Sequence, residues 1–254
     1  MIAVYGVDEI FDCATFATEA GKYEKTFNLV GYPLAEGYPE KPMKKHLLQY
    51  FLDDMGLPSF NVPSIVIDAY AHIDNTPKEY ATLHVKAGWS AYKNWPADKW
   101  AEVLKHFPDL TVYQIGTADE PKVSGANHDF MGTELMAAIH LISNSSLHMG
   151  VDSFTNHLTN ITWLDDVGLR KVPAVILWGS TQATAAGYKH NKNISLGLEC
   201  QPCFREDPAI SRMSRGPCIN PIGQVYDNPQ HACMAGISVD AVVDAITMVR
   251  QPKA

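Results

Sequence analysis

The chain has 254 residues, of which 46% are hydrophobic and 19% are charged, and its formal net charge is -8 at pH 7. This composition is typical of a globular protein with one large domain or two small ones, and the acidic balance disfavours a broad nucleic-acid-binding surface. No apolar run reaches the roughly 18 residues of a membrane span, and the N-terminus lacks the pattern of a signal peptide, so we expect a cytoplasmic protein.

The first 79 residues carry weak secondary-structure signals. Residues 1–5 are a candidate strand, and residues 31–42 are typical of a loop because they are rich in Gly, Pro and Tyr. A helix is predicted over residues 43–55. Residues 57–79 resemble a connector that contains one short apolar run, at 65–67.

From residue 80 onward, strand-like and helix-like segments alternate along the chain. The predicted strands cover residues 80–86, 110–116, 146–152 and 173–179. The predicted helices cover residues 96–107, 133–144, 153–164 and 238–250. This alternation predicts a parallel sheet with right-handed crossovers, and such sheets bind ligands beyond the carboxyl ends of their strands.

Several residues suited to binding a nucleoside diphosphate follow these strands. Lys93 can neutralise a phosphate group, and Glu120 can accept hydrogen bonds from ribose hydroxyls. The backbone N–H groups of Ser153 and Phe154, at a predicted helix start, can hold phosphate oxygens. Each residue also has an ordinary interpretation, since Lys93 could be a solvated lysine, Glu120 a first-turn glutamate and His157 a core histidine.

Five segments between residues 80 and 190 occur in a characteristic order, and they read YKNWPADKW, IGTADE, GTELMAAIHLISNS, GVDSFTNHL and VILWGST. In this order and spacing they resemble the C-terminal half of the heptosyltransferase family, glycosyltransferase family nine. The resemblance implies the GT-B fold, with two Rossmann-type domains. It also implies transfer of a sugar from a nucleotide-sugar, without a catalytic metal ion.

The resemblance assigns roles to individual positions. Lys93 would contact phosphate, Glu120 would contact ribose, and other positions would line the diphosphate and the sugar. The implied donor-binding residues are Lys93, Gly116, Glu120, Asp152, Ser153, Phe154, His157, Gly179 and Ser180. Two positions depart from the family pattern, because Phe154 stands where the family usually has glycine and Ser180 replaces the usual proline.

The region before residue 80 resembles only the later part of the family's N-terminal domain and its connector. The opening strand and loop of that domain, which normally carry acceptor contacts and a catalytic aspartate, have no evident counterpart. Asp8 and Asp12 match the later segment, so the catalytic base stays unassigned. An acceptor hydroxyl must lose its proton as it attacks the anomeric carbon. Either a truncated domain supplies the base, or another chain does, or the protein only binds.

Four of the five cysteines lie close together, at Cys200, Cys203, Cys218 and Cys233. The segment between them has little apolar material, so a tetrahedral metal ion would replace the missing core. Zinc and iron both accept thiolate ligands, and His231 could substitute for one cysteine. Disulfides or reduced thiols are the alternatives, and a cytoplasmic location disfavours disulfides. Cys13, the fifth cysteine, is expected to be a small buried residue.

The family resemblance extends to these cysteines. Related members carry C-x-P-C after the donor domain and C-M before the last helix, as in CQPCF and ACMAGISVD here. A subgroup that glycosylates autotransporter adhesins has a four-cysteine finger that holds iron. The resemblance therefore implies a structural metal ion, zinc or iron, that fixes the end of the chain to the sheet.

Together these features predict an α/β, GT-B-like protein with three parts. Residues 1–79 form a truncated acceptor-side domain and connector, residues 80–199 a Rossmann-like nucleotide-sugar-binding domain, and residues 200–254 a metal finger with a closing helix. The expected activity is glycosyl transfer to an acceptor hydroxyl on a glycan, a protein or a modified nucleic-acid base.

Two other functions stay open. The chain could be a non-catalytic nucleotide-sugar-binding subunit that a partner chain completes, or a structural metal-finger protein with a decayed nucleotide site. A homo-oligomer or a partner chain is expected because a shortened domain would leave sheet surface uncovered.

Overall fold

The structure, a computed structural model, describes residues 22, 44–56, 66–68, 77, 79–88, 93–165, 168–202 and 231–251. Its strands are β1 (Val66–Asp68), β2 (Ala81–His84), β3 (Val112–Gly116), β4 (His128–Met131), β5 (Leu147–Val151), β6 (Thr162–Asp165), β7 (Gly168–Arg170), β8 (Ala174–Leu177) and β9 (Lys192–Ile194). Its helices are α1 (Leu47–Asp54), α2 (Ala97–Lys105), α3 (Leu135–Asn144), α4 (Phe154–Leu158), α5 (Ala183–Ala186), α6 (Ala232–Ala235) and α7 (Val239–Arg250). Among these described helices, none is long and apolar enough to cross a membrane.

A six-stranded sheet organises the fold. Its strand order is β4-β3-β2-β5-β8-β9, and every neighbouring pair is parallel. The predicted α/β class with a parallel sheet is therefore confirmed. The chain moves outward from β2 through β3 to β4, and then returns to build the other half from β5. The topological switch point, where such sheets bind ligands, thus lies between β2 and β5.

Two apolar clusters cover the two faces of this sheet. On one face, Trp100 and Val103 of α2 and Val242 and Ile246 of α7 pack with Met149 and other inward-facing strand residues. On the opposite face, a second cluster is built from Tyr80, Tyr113, Ile115, Ile139, Leu141, Ile142, Leu158, Trp163 and Val172. Because side chains alternate along a strand, β5 places Leu147, Met149 and Val151 in the first cluster and turns His148 to the other face.

The closing helix α7 lies within the predicted segment 238–250. The Ser238 hydroxyl accepts a hydrogen bond from the backbone N–H of Ala241 at 3.2 Å and caps the helix start. Asp240 lies in the first turn and Arg250 in the last, so each charge interacts favourably with the partial charge at its end of the helix.

The helix predicted over residues 153–164 is wrong beyond Leu158. The structure has a five-residue helix there, followed by strand β6. β6 pairs in parallel with β1 and antiparallel with β7, in a separate three-stranded sheet. Trp163 of β6 is fully buried. Pairing with distant chain segments therefore overrides the local helical pattern in this stretch.

The sequence pattern also does not predict the two edge strands, β4 and β9. Both are short and contain two polar residues each, and they read HDFM and KNI. Each depends on one neighbouring strand for its backbone hydrogen bonds, since β4 pairs with β3 and β9 with β8. The predicted strand at 1–5 and the predicted loop at 31–42 lie outside the described residues.

Candidate functional site

The predicted donor-binding residues lie at the carboxyl edge of the six-stranded sheet. Gly116 ends β3, Asp152 and Ser153 follow β5, and Gly179 and Ser180 follow β8. This edge is formed because parallel strands end on the same side of a sheet.

An ion pair lies at the centre of this edge. The Lys93 ammonium donates to Asp152 Oδ2 at 2.7 Å, and the two side chains are only 12% and 5% exposed. The Thr181 hydroxyl donates to the same carboxylate oxygen at 2.5 Å. Thr181 is a site residue that sequence reasoning missed, although it directly follows the predicted pair Gly179 and Ser180. The structure thus brings Lys93 and Asp152 together across 59 positions of sequence.

Glu120 forms a second buried acidic position. Its side chain is 1% exposed, and Oε1 accepts a hydrogen bond from the backbone N–H of Thr117 at 2.7 Å. His84 Nε2 lies 3.3 Å from the same oxygen. Within the described part of the chain, Oε2 finds no hydrogen-bond partner. A buried carboxylate oxygen with no donor costs free energy, so a ligand hydroxyl reaching this atom would be favoured.

Gly116 is required by the close approach of Glu120. The φ angle of Gly116 is +145°, and a methyl group at this position would overlap the carboxylate atoms of Glu120. Only glycine combines this backbone conformation with the missing side chain.

We therefore expect Gly116→Ala to displace Glu120 and to lower the free energy of unfolding by roughly 1–3 kcal/mol, the usual cost of overpacking. Gly168→Ala is the matched control, because Gly168 also has a positive φ, +124°, but open space around it. Urea unfolding of both variants separates the overlap from the backbone strain. Equal losses in the two variants would contradict the overlap with Glu120.

A chain of buried and half-buried polar side chains runs from this edge into the sheet. His84 Nδ1 shares a hydrogen bond with Ser153 Oγ at 2.9 Å and lies 3.2 Å from Thr155 Oγ1. Thr155 Oγ1 is in turn 3.1 Å from His148 Nε2, and His148 Nδ1 is 2.9 Å from Thr82 Oγ1. We call Thr82, His84, His148, Ser153 and Thr155 the polar relay. Burial, with a smaller contribution from His84, lowers the pKa of His148 to about 3.

Sequence reasoning missed the two relay histidines. A signal exists for His148, since it interrupts the otherwise apolar strand β5. β2 and β5 are neighbours in which Thr82 is opposite His148 and His84 is opposite Gly150. A side chain at Gly150 would come within 2.8 Å of the His84 carbonyl oxygen. The polar relay thus depends on the absence of a side chain at Gly150.

His157 is held by a residue that the sequence did not indicate. His157 Nδ1 and the Tyr188 hydroxyl are 2.7 Å apart, and the rings meet edge to face. Burial, followed by the charge of Asp152, raises the pKa of Tyr188 to about 12, so this hydroxyl stays protonated. Phe154 is 52% exposed at the start of α4, and no aromatic contact of its ring appears in the described part of the chain.

Two of the four predicted metal ligands fall within the described residues. Cys233 is buried in the cluster beneath α7, and Cys200 is half-buried after β9. Leu198 packs on the cluster that contains Cys233, so the two ends of segment 203–230 are anchored to the same core. Cys203 and Cys218 lie outside the described residues, as do Asp8, Asp12 and Cys13. Among the described residues, no group of three or more metal-ligating side chains occurs.

No protein-family model and no curated protein matches the sequence. The fold is similar to that of the iron-containing dodecameric glycosyltransferase TibC from enterotoxigenic E. coli H10407, with a TM-score of 0.54 and 18% identity over 72% of this chain and 49% of that one. For the heptosyltransferase TibC in complex with ADP-D-beta-D-heptose, the TM-score is 0.52 at 18% identity, over 70% of this chain and 47% of that one.

This chain therefore spans about half the length of these solved structures. The similarity confirms, at the level of the fold, the resemblance to heptosyltransferases.

Proposed function

We propose that the chain binds a nucleotide-sugar at the carboxyl edge of its six-stranded sheet and acts as a glycosyltransferase. The observation that carries this proposal is the buried Lys93–Asp152 pair at the carboxyl edge. Buried Glu120 lies at the same edge, beside His84, which is bonded to Ser153, the residue after Asp152. These groups lie on either side of the switch point between β2 and β5, the usual ligand position in an open parallel sheet. The fold shared with TibC supports the same site, since TibC has been solved with ADP-D-beta-D-heptose.

Each group has a role that its chemistry suits. The Lys93 ammonium has three donors, so it can contact phosphate oxygens while it is bonded to Asp152. Glu120 Oε2, which lacks a donor among the described residues, fits the hydroxyls of a ribose. As the sugar is transferred, the departing nucleoside diphosphate gains negative charge, and a fixed ammonium stabilises that charge. The proposed transfer needs no catalytic metal ion.

A thermal-shift panel of nucleoside diphosphates and nucleotide-sugars tests the site. We expect one of them to raise the Tm, because a ligand that binds only the folded state stabilises it by about 2.7 kcal/mol at 100 times its Kd. In the Lys93→Ala variant this rise should vanish, whereas Lys105→Ala should keep it, since Lys105 is exposed and pairs with Glu102 on α2. No rise with any nucleotide would contradict the proposal.

Turnover then separates an enzyme from a binding subunit. Release of nucleoside diphosphate from the nucleotide-sugar that gives the shift, by the purified chain, is the expected result. Binding without release in the presence of candidate glycan, protein and nucleic-acid acceptors would favour a subunit that a partner chain completes.

We also propose that Cys200, Cys203, Cys218 and Cys233 hold one structural metal ion, zinc or iron. The position of Cys233 in the core cluster, on which Leu198 packs two residues before Cys200, supports this proposal. The donor set supports it as well, because four thiolates suit a tetrahedral ion. The ion would fix the segment between them in place of an apolar core. A homo-oligomer and a cytoplasmic location stay predictions, and light scattering tests the first.

Metal analysis of purified protein checks the four-cysteine site. We expect about one zinc or iron per chain, and we expect Cys233→Ser to lose most of it because one of the four thiolates is removed. Cys13→Ser is the matched control and should keep the metal. Equal metal content in all three proteins would contradict the site.

A further inference from the structure

A cavity lies where α1 and the residues just before it meet the segment that follows α5. Its volume is about 710 Å³, within the range of small-molecule sites. Its lining includes four lysines, Lys44, Lys45, Lys171 and Lys189, and two histidines, His46 and His190. Burial lowers the pKa of His46 to about 4, so this imidazole is neutral at pH 7 and the positive charge comes from the lysines. We call this cavity the lysine pocket.

Among the residues that the structure describes, no aspartate or glutamate lines the lysine pocket. This is not a consequence of composition, since the whole chain has 28 acidic residues against 20 lysines and arginines. Lys45 pairs with Asp53, a carboxylate one to two turns along α1 that does not line the cavity. The described lining thus offers lysine ammonium groups, chiefly those of Lys171 and Lys189, on an otherwise acidic protein, as expected of an anion site.

Lys171 is a partly buried lysine of this pocket whose described partner is neutral. Its ammonium is partly buried and donates to the neutral Asn160 Oδ1 at 2.9 Å. Burial lowers the pKa of Lys171, because leaving water disfavours the charged form. Among the described residues, no carboxylate offsets the hydration that the Lys171 ammonium loses on burial. A bound anion would therefore stabilise this charge.

We propose that the lysine pocket binds a phosphorylated small molecule. Its size admits more than a single phosphate group, and its lysines suit phosphate as point charges. The lysine pocket and the candidate donor site share one wall, because Tyr188 lines the cavity while its hydroxyl holds His157. The proposal stands on the lining alone and does not rest on the glycosyltransferase function.

Calorimetric titration with inorganic pyrophosphate at low ionic strength tests the lysine pocket. The Lys93→Ala variant is the starting protein, because an unpaired Asp152 carboxylate repels anions from the donor site. We expect saturable binding in this background. Adding Lys171→Gln and Lys189→Gln should raise the Kd at least about tenfold, since each removes a charge-assisted hydrogen bond.

The matched control replaces Lys105 and Lys122 by glutamine, which changes the net charge equally. Both are exposed, each pairs with a carboxylate, and neither lines the lysine pocket. This control should leave the Kd within about twofold, the change expected from screened, distant charges. Absence of binding, an unchanged Kd in the Lys171 and Lys189 variant, or an equal loss in the control would each overturn the proposal. Lys189→Gln alone, at an exposed side chain, serves if the double variant fails to fold.

Discussion

Replacing Lys93 by alanine should lower the free energy of unfolding by about 3 kcal/mol, the lower end of the cost of breaking a buried ion pair. The Lys93 and Asp152 side chains are 12% and 5% exposed, so removing the ammonium leaves a carboxylate that water hardly reaches. The Thr181 hydroxyl still donates to Asp152, which keeps the loss at the lower end of the range. Urea unfolding at pH 7 measures the effect.

Two further variants make this prediction specific. Lys86→Ala removes the ammonium of an ion pair with Asp119, whose side chain is 71% exposed, and it should change stability little. Combining Lys93→Ala with Asp152→Asn should recover part of the loss, because no unpaired charge is then buried. If the double variant is no more stable than Lys93→Ala, lost packing rather than the unpaired charge explains the result.

The sequence predicts the residues of the candidate site better than their mutual contacts. Glycines and polar residues at strand ends mark the carboxyl edge, so Gly116, Glu120 and Asp152 can be found from local pattern and family resemblance. The Lys93–Asp152 pair, by contrast, joins residues on either side of β3 and β4 in the chain. Such a contact depends on the strand order, which periodicity alone does not specify.

The strands, too, differ in how well the local sequence predicts them. Apolar strands in the middle of the sheet, such as β5 and β8, are visible in the sequence because they are buried on both faces. β4, β6 and β9 are not visible, because short strands gain their stability from the strands beside them rather than from their own residues. Even within a predicted strand, the contacts of a side chain are not predicted, as His148 shows. Its position in β5 is predictable, but its contacts with Thr82 and Thr155 require knowledge of which strand lies next to β5.

Acid should destabilise the protein below about pH 6.5, with His148 as a major cause. The side chain is fully buried, and burial lowers its pKa to about 3 in the folded protein, against about 6.5 for a histidine in water. Between these values the unfolded chain binds a proton that the folded chain does not. The stabilisation from neutral His148 is therefore complete above pH 6.5 and declines as the pH falls toward 3, by up to about 1.4 kcal/mol per pH unit.

The variant His148→Asn isolates this effect from the titration of other groups. Asparagine keeps a polar atom near Thr82 but does not ionise, so the variant should lose stability at pH 8 and show a shallower decline between pH 6 and 4. Thr82→Val is the matched control. It removes the hydrogen bond to His148 Nδ1 and keeps the imidazole, so it should lower stability while retaining the steep decline. Urea unfolding across this pH range gives both slopes. Equal slopes for wild type and His148→Asn would mean that His148 takes up its proton without unfolding, and the polar relay would then open to water in the folded protein.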